Sequence, residues 1–215
     1  ESDESFTKYT TPDAQKSTYG NVTGVIKIPV TQPYWTQIQG DKLFFNEQAA
    51  NALAVFDIEQ ESLVEYHVPS KNPNWADCAD QPNCGIAQIF GFKATDDKIW
   101  FTQWVENKIG KVDLTKPLST SVSVSEKQIT IPRGQMASVE MNVSTNTLTE
   151  ILSKATSSFS DIVVGVPTKQ ISNSQLIPIS ITVSESALPG TYKVLLSART
   201  ADVTVSQFVT VIITQ

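Results

Sequence analysis

The feature that most constrains the fold of this chain is an internal repeat at an interval of 56 residues. The first copy is Asp-Lys-Leu-Phe-Phe at 41–45, with Asn, Leu, Val and Asp at 51, 53, 55 and 57; the second is Asp-Lys-Ile-Trp-Phe at 97–101, with Asn, Ile, Lys and Asp at 107, 109, 111 and 113. Each copy predicts a β-hairpin, because an apolar strand follows a turn and an alternating strand follows a polar connection. Strands at 35–38 and 86–92 precede the hairpins, and an outer strand, Leu63–Val68, follows the first. A four-stranded unit that recurs at about 40–55 residues is typical of a β-propeller blade.

The second copy resembles the blades of virginiamycin B lyase-like propellers. Trp-Phe-Thr-Gln at 100–103 and Asn-Lys-Ile-Gly-Lys-Val-Asp at 107–113 are similar to that family's blade pattern, Trp-Phe-Thr-Glu and then Asn-Lys-Ile-Gly-Arg-Ile-Asp. The stretch Leu63–Pro69 resembles the family's outer strand, and Cys-Gly-Ile-Ala at 84–87 resembles its blade start, Pro-Gly-Ile-Ala. The resemblance extends over residues 22–115 and implies a propeller fold. Enzymes of that family catalyse an elimination with a metal ion, a catalytic His and a Glu, so the resemblance also implies this reaction.

Two blades are too few for a closed ring, because propellers have about four to eight. Residues 21–115 therefore predict a partial propeller, with a spare outer strand at 22–30 and only three strands at 85–113. Three explanations stay open: the chain is the C-terminal part of a larger protein, copies of it assemble into one ring as two-blade lectins do, or the strands form an open sheet. We expect the first, so the expected partners are other blades, from a missing part of the chain or from copies of it.

Regular alternation of apolar residues with Ser or Thr begins after a boundary at 116–120. It predicts half-buried antiparallel strands whose Ser and Thr side chains face outward. About seven strands in roughly 100 residues are typical of an immunoglobulin-like sandwich. The less β-like stretch Thr147–Ser158 predicts one or two helical turns. The run Ala187–Tyr192, in which Pro-Gly precedes Thr-Tyr, resembles Ig-like or fibronectin-like domains of prokaryotic surface proteins.

The composition divides at the same boundary. Fifteen of the 18 aromatic residues lie in 1–115, whereas 30 of the 45 Ser and Thr residues lie in 116–215. Residues 1–115 have a net charge of −7 and residues 116–215 a net charge of +1. We expect an all-β protein with a flexible N-terminal arm at 1–20, a propeller-blade domain at 21–115 and an Ig-like sandwich at 116–215. An acidic chain without a basic cluster predicts no nucleic-acid partner, and no apolar run predicts a membrane span.

The two cysteines indicate where the protein functions. Cys78 and Cys84 lie in a polar loop with five residues between them, which is not the two-residue spacing of thioredoxin-like or zinc motifs. We predict a disulfide and, with it, an extracellular or cell-surface location. Two sequons make Asn21 and Asn142 candidate glycosylation sites.

The polar connections of the repeat and the long loop after the first blade supply candidate ligand-binding residues. Trp104 interrupts a polar stretch, so it is a candidate stacking platform for a sugar or an aromatic ligand. Long loops often carry binding residues. The five candidates are Asn46, Glu47, Gln103, Trp104 and Trp75.

Catalysis has little support in the sequence. The family resemblance implies a His and a Glu, and the candidates are His67, in the predicted outer strand, and Glu47, at the position of the motif's Glu. The second copy has Gln103 at that position, and Gln cannot act as a base. Asp77 and Asp80 are candidate Ca²⁺ ligands, but we predict no metal, no cofactor and no catalytic residue.

These observations predict an extracytoplasmic, non-enzymatic binding or structural protein. The blades would provide the recognition face for a glycan or a surface protein, and the Ig-like domain would act as a spacer or adhesion module. Two alternatives are a fragment of a virginiamycin B lyase-like propeller enzyme, which would be a lyase of the streptogramin lyase type, and a self-assembling two-blade lectin.

Overall fold

The chain is almost entirely β-structure. A computed structural model describes residues 6–13, 30–76, 78, 84–146, 150–167 and 170–215, and within them it contains sixteen strands and two short 3₁₀ turns. The predicted all-β class is confirmed. The chain divides into two compact units. One unit, which we call the repeat unit, comprises Asp13–Leu118 and Ala201–Thr204. The other, which we call the sandwich unit, comprises Glu1–Pro12, Ser119–Thr200 and Val205–Gln215.

The repeat unit contains two antiparallel meanders, each with its strands paired in chain order. The first is a sheet of β1 (Pro33–Gln39), β2 (Lys42–Glu47), β3 (Ala52–Asp57) and β4 (Ser62–His67). The second is a sheet of β5 (Ile89–Ala94), β6 (Lys98–Gln103) and β7 (Lys108–Asp113). Both hairpins lie where the repeat predicts them. The observed architecture of the repeat unit is these two sheets.

The repeat extends to the backbone conformation. Asn51 and Asn107, which occupy equivalent positions after the two apolar strands, both have a left-handed backbone, with φ of 55° and 53°. Asn tolerates this region better than most residues because its short side chain can hydrogen-bond locally. The two sheets share one apolar core, to which Phe44 and Leu53 contribute from the first sheet and Ile99 and Phe101 from the second.

The sandwich unit contains two sheets over a single core. The strands are β8 (Thr120–Val124), β9 (Gln128–Pro132), β10 (Met136–Thr145), β11 (Ile151–Ser157), β12 (Ile162–Gly165), β13 (Gln170–Ile171), β14 (Gln175–Val183), β15 (Gly190–Arg199) and β16 (Val203–Thr214). One sheet has the order β8-β10-β14-β12. The other contains β13-β11-β15-β16, with β9 parallel to β16. Counting β9 as a continuation of the first strand and β13 as a short additional strand at the edge beside β11, this is the ABED and CFG arrangement of immunoglobulin-type sandwiches.

Two expectations about the sandwich were wrong. The stretch predicted to contain helical turns holds β11, because Ser153 takes an inward position between the flanking residues and hides the alternation. The Ser and Thr residues of β16 other than the terminal Thr214 do not face solvent: Thr204, Ser206 and Thr210 are buried, like most apolar residues of that strand. Part of the cover comes from Tyr9, whose ring lies edge-on to Phe208 with centroids 5.0 Å apart.

Some predictions lie outside the described residues. These are the spare outer strand up to residue 29, the sequon at Asn21 and the candidate Ca²⁺ ligands Asp77 and Asp80. The part of the predicted N-terminal arm that is described includes Lys8 and Tyr9, and the Lys8 ammonium lies 5.5 Å from the centre of the Phe159 ring.

Candidate functional site

Four exposed aromatic side chains of the repeat unit form a continuous row, which we call the aromatic cluster: Tyr34, Phe90, Trp104 and Trp75. Successive ring centroids are 6.1, 5.7 and 5.8 Å apart, with interplanar angles of 41°, 46° and 49°. Each residue is 50–61% exposed. Exposed aromatic rings in contact with one another are unusual on a protein surface and mark interaction sites.

Short turns position the two tryptophans. Trp75 ends the 3₁₀ turn Pro73–Trp75, which Asn72 caps by accepting a hydrogen bond from the backbone N–H of Asn74 at 3.0 Å. The Asn72 side chain also donates to the carbonyl of Val105 at 3.1 Å. Because Val105 lies in the turn Trp104–Glu106, one asparagine holds both tryptophan-bearing turns together.

The predicted disulfide between Cys78 and Cys84 is present, with Cα atoms 5.3 Å apart. It closes the loop that follows Trp75. Gly85, at φ 123°, comes directly after it, and a Cβ there would lie 2.6 Å from the carbonyl of Asn72. Gly85, next to the disulfide in sequence, therefore packs closely against the same asparagine that joins the two turns.

The repeat explains two members of the cluster that the sequence analysis did not single out. Tyr34 and Phe90 are separated by 56 residues, the interval of the repeat, and each lies in the first strand of its sheet. Extending the repeat upstream of its Asp-Lys turn would have shown an aromatic residue at both positions. Trp104 and Trp75 were predicted and lie in the cluster.

The other predicted ligand-binding residues are buried. Asn46 has no exposed surface: its side chain accepts a hydrogen bond from the Trp35 N–H at 2.7 Å and donates to the Ile89 carbonyl at 2.6 Å. Glu47 is also fully buried, and Gln103 is buried and accepts a hydrogen bond from the Ser70 hydroxyl. Asn46 and Gln103 therefore connect segments of the repeat unit, and in the structure none of the three residues faces solvent where a ligand would approach.

The two candidate catalytic residues share a row of the first sheet. The register pairs Glu47 with Ala52 and Ala52 with His67, so both side chains lie on one face, about 10 Å apart across two strand spacings. His67 Nε2 is 2.8 Å from the Thr204 hydroxyl. Glu47 is closed to solvent, so the row does not present an acid–base pair to a substrate. No group of three or more His, Cys, Asp or Glu residues with metal-binding geometry occurs in the described parts of the chain.

A cavity of about 490 Å³ lies at the opposite end of the strands, beside the Asp-Lys turn of the first sheet. Phe44 and Val55 contribute apolar surface, and Asp41 and Asp57 contribute carboxylates. Burial raises the pKa of Tyr66, which also lines it. Because Gln39 pairs with Lys42 at this end and Pro33 with Glu47 at the other, the cavity is separate from the aromatic cluster.

The candidate glycosylation site Asn142 lies in the middle of a sheet. Its strand, β10, pairs at this position with Ser123 on one side and Leu176 on the other, and the Asn142 side chain is partly buried. Attachment of a glycan there remains a prediction.

Comparison with known proteins finds similarity in structure rather than in sequence. No protein-family model matches the chain, and no curated protein matches its sequence. A solved structure, the BIgI domain of the beta protein from S. agalactiae bound to CEACAM1, is similar to 44% of this chain over 95% of its own length, with 14% sequence identity and a TM-score of 0.30. The resemblance to virginiamycin B lyase-like blades therefore depends on the motifs quoted above alone.

The described residues contain no helix with the length and apolar character that crossing a membrane requires.

Proposed function

We propose that this protein is a non-enzymatic binding protein of the extracytoplasmic space and that the aromatic cluster is its recognition surface. The observation that supports this best is the unbroken row of ring contacts among four half-exposed side chains. Such a row exposes apolar surface to solvent, and this surface does not contribute to the core of the unit. Aromatic rings supply a large contact area at low entropic cost, which is why they dominate binding hot spots.

The geometry of the rings supports a polysaccharide chain as the ligand. A sugar ring presents a face of C–H groups that stacks on an aromatic ring. Each ring of the cluster is tilted by 41–49° to the next, so the row is a twisted surface rather than a flat one. A glycan chain with a twist between successive residues can follow such a row, whereas a rigid planar ligand would stack on only one ring. A surface protein is the alternative ligand.

We propose that the sandwich unit is an Ig-like domain that acts as a spacer or adhesion module. Its strand order supports this assignment, and the hydroxyl of Tyr192 donates to the Leu188 carbonyl at 2.8 Å. A tyrosine that bonds back to the backbone a few residues upstream is a hallmark of Ig domains. The disulfide between Cys78 and Cys84 supports a location outside the cytoplasm.

This chain is proposed to be the C-terminal part of a larger protein, with its two meanders as propeller-type blades that form an open pair rather than part of a closed ring. The two-blade lectin alternative would need the second face of β1–β4 to be open to a neighbouring copy. Phe45, Ala54 and Leu63 on that face are all buried, so the face is not open to such a copy. The lyase alternative would need Glu47 to be accessible, and no observation favours it.

A glycan array with the full chain tests the proposal. We expect binding of polysaccharides and its loss in Trp104→Ala and Trp75→Ala. Trp35→Ala is the matched control, because Trp35 is 55% exposed but lies outside the row of ring contacts. Binding that survives both cluster substitutions, or that Trp35→Ala abolishes equally, would contradict the assignment of the surface.

A further inference from the structure

A second exposed feature of the repeat unit is a cross-strand row of two lysines on either side of a tryptophan. The register of β5, β6 and β7 pairs Lys93 with Trp100 and Trp100 with Lys111, so the three side chains lie side by side on one face of the sheet. The Lys111 ammonium is 5.8 Å from the centre of the Trp100 ring, within cation–π range. Ile109, 76% exposed, lies on the same face. We call these three residues, Lys93, Trp100 and Lys111, the basic row.

The first repeat shows what this face does when another sheet covers it. The residues equivalent to the basic row are Gln37, Phe44 and Val55, 56 positions earlier. Phe44 is in the core that the two sheets share, with Val55 packed against it. Gln37 bonds through both ends of its amide to the backbone of Ala94, at 3.0 and 3.1 Å.

Three positions of the first repeat contact the next sheet. The equivalent positions of the second repeat carry exposed groups instead. Trp100 is 49% exposed, and Gln37 and Val55 are replaced by lysines. A face adapted to receive another sheet of the same kind would retain the amide and the small apolar side chain. The basic row is therefore an open face with a chemistry of its own.

The charges of the row are available to a ligand. Among the described residues, Lys98 and Lys108 form ion pairs with Asp97 and Glu106, whereas neither Lys93 nor Lys111 lies within ion-pair distance of a carboxylate. The Lys111 charge does act at longer range on Asp113, whose pKa it helps to lower. Residues 1–115 have a net charge of −7, so two lysines flanking an exposed ring are a local reversal of the unit's charge. Such a reversal attracts anions to one place on an otherwise acidic surface.

We propose that the basic row binds a carboxylated polysaccharide, with a sugar ring stacked on Trp100 and carboxylates paired with the ammonium groups of Lys93 and Lys111. This inference rests on the proposed function, because it names the class of glycan that the repeat unit recognises. The two lysine positions are about 9.5 Å apart, two strand spacings, which is a span that one disaccharide covers. A second copy of this chain is a poor occupant, since a two-fold contact through this face would bring the same lysines together.

The test is a binding titration of the full chain with three polymers: sodium alginate, which is a uronate polymer, dextran, which is neutral, and poly-L-glutamate. We expect alginate to bind more tightly than dextran and to weaken with salt. Lys93→Gln/Lys111→Gln should weaken alginate binding about tenfold, as expected for the loss of two exposed ion pairs, and leave dextran binding unchanged. Lys42→Gln/Lys116→Gln, the same charge change at exposed lysines outside the row, should leave alginate affinity within about twofold.

Each other outcome would overturn the inference in a recognisable way. Equal binding of alginate and dextran, with both lost in Trp104→Ala, would remove the basic row and leave the proposed function intact. Absence of binding to any polysaccharide would remove both. Tighter binding of poly-L-glutamate than of alginate would make an acidic polypeptide the partner. An equal loss of alginate affinity in Lys42→Gln/Lys116→Gln would show that the effect comes from the overall charge of the protein and not from the basic row. Trp100→Ala provides a second variant that should weaken alginate binding without unfolding the unit, because the half-exposed ring is not part of the shared core.

Discussion

Asn51 should be the most sensitive polar residue of the repeat unit. Its side chain donates to the carbonyls of Val68 and Ser70, at 2.8 and 3.0 Å, and accepts from the Ala87 N–H at 2.7 Å. One buried amide therefore joins the connection between β2 and β3 to the end of the first sheet and to the approach to β5. Asn51→Ala would leave these three backbone groups without that partner.

The repeat supplies the control that isolates this effect. Asn107 has the same left-handed backbone but is exposed, and within the described residues its side chain makes no hydrogen bond. Alanine at either position costs roughly 1–2 kcal/mol of backbone strain. Only at Asn51 does alanine also leave buried polar groups without a hydrogen-bond partner, which costs about 1–3 kcal/mol of stability for each fully buried group. Because Ser70 is only partly buried, we expect Asn51→Ala to reduce the free energy of unfolding by about 2–4 kcal/mol more than Asn107→Ala does.

Tryptophan fluorescence during urea or thermal unfolding measures this difference in the full chain. All four tryptophans lie between residues 35 and 104, so the signal reports the repeat unit alone. An excess of 2 kcal/mol corresponds to a shift of the midpoint by about 10 °C for a unit of this size. A difference below about 1 kcal/mol between the two variants would refute the claim that the hydrogen bonds of Asn51, rather than its backbone conformation, hold the sheets together.

Three further predictions follow from individual contacts. The hydroxyl of Thr115 holds the pKa of Asp113 below its usual value. The Asp113 carboxylate therefore stabilises the fold above its unfolded-state pKa and ceases to do so as the pH falls through its folded-state pKa. In Thr115→Val, an NMR titration should show a higher pKa for Asp113, and an unchanged pKa would contradict this cause. Replacing Cys78 and Cys84 with Ser should cost about 2 kcal/mol through the short closed loop, checked by denaturant unfolding against the oxidised wild type. Gly110→Ala should destabilise by about 1–3 kcal/mol, because the new Cβ would lie 2.1 Å from an aromatic ring of the neighbouring strand, and a neutral result in thermal unfolding would show that the ring can move.

The strands of the repeat unit could be predicted because their pattern is local and occurs twice. The Asp-Lys turn and the Asn–Asp spacing lie within single hairpins, so each copy confirms the interpretation of the other. The disulfide could be predicted for the same reason, since its two cysteines are close in sequence. In the sandwich, β11 was missed because one of its inward positions is Ser153, and the rule that apolar residues face inward then fails.

The functional role of individual residues was harder to predict because it depends on contacts distant in sequence. Asn46 and Gln103 belong to polar connections, which normally suggest exposure. Asn46 is buried because Ile89, 43 residues away, provides a carbonyl that its amide can bond, and Gln103 bonds Ser70, 33 residues away. Sequence distance hides such pairs, so a polar residue between two strands cannot be assigned to a ligand or to a neighbouring sheet by pattern alone.

Comparison of equivalent positions in the two repeats makes that distinction where a single pattern cannot. A position that is buried in one copy and exposed in the other lies on a face that the fold covers only once. Leu53 and Ile109 are such a pair, as are Phe44 and Trp100. Since the second member of each pair keeps a large apolar side chain that no described residue of the unit buries fully, its retention needs a reason outside the two-sheet core. At Tyr34 and Phe90 of the aromatic cluster the observation is different: both copies retain an exposed ring, and neither ring is buried in the two-sheet core. Exposed apolar residues at repeat-equivalent positions are therefore the strongest indication in this chain of surfaces that function in contact with another molecule.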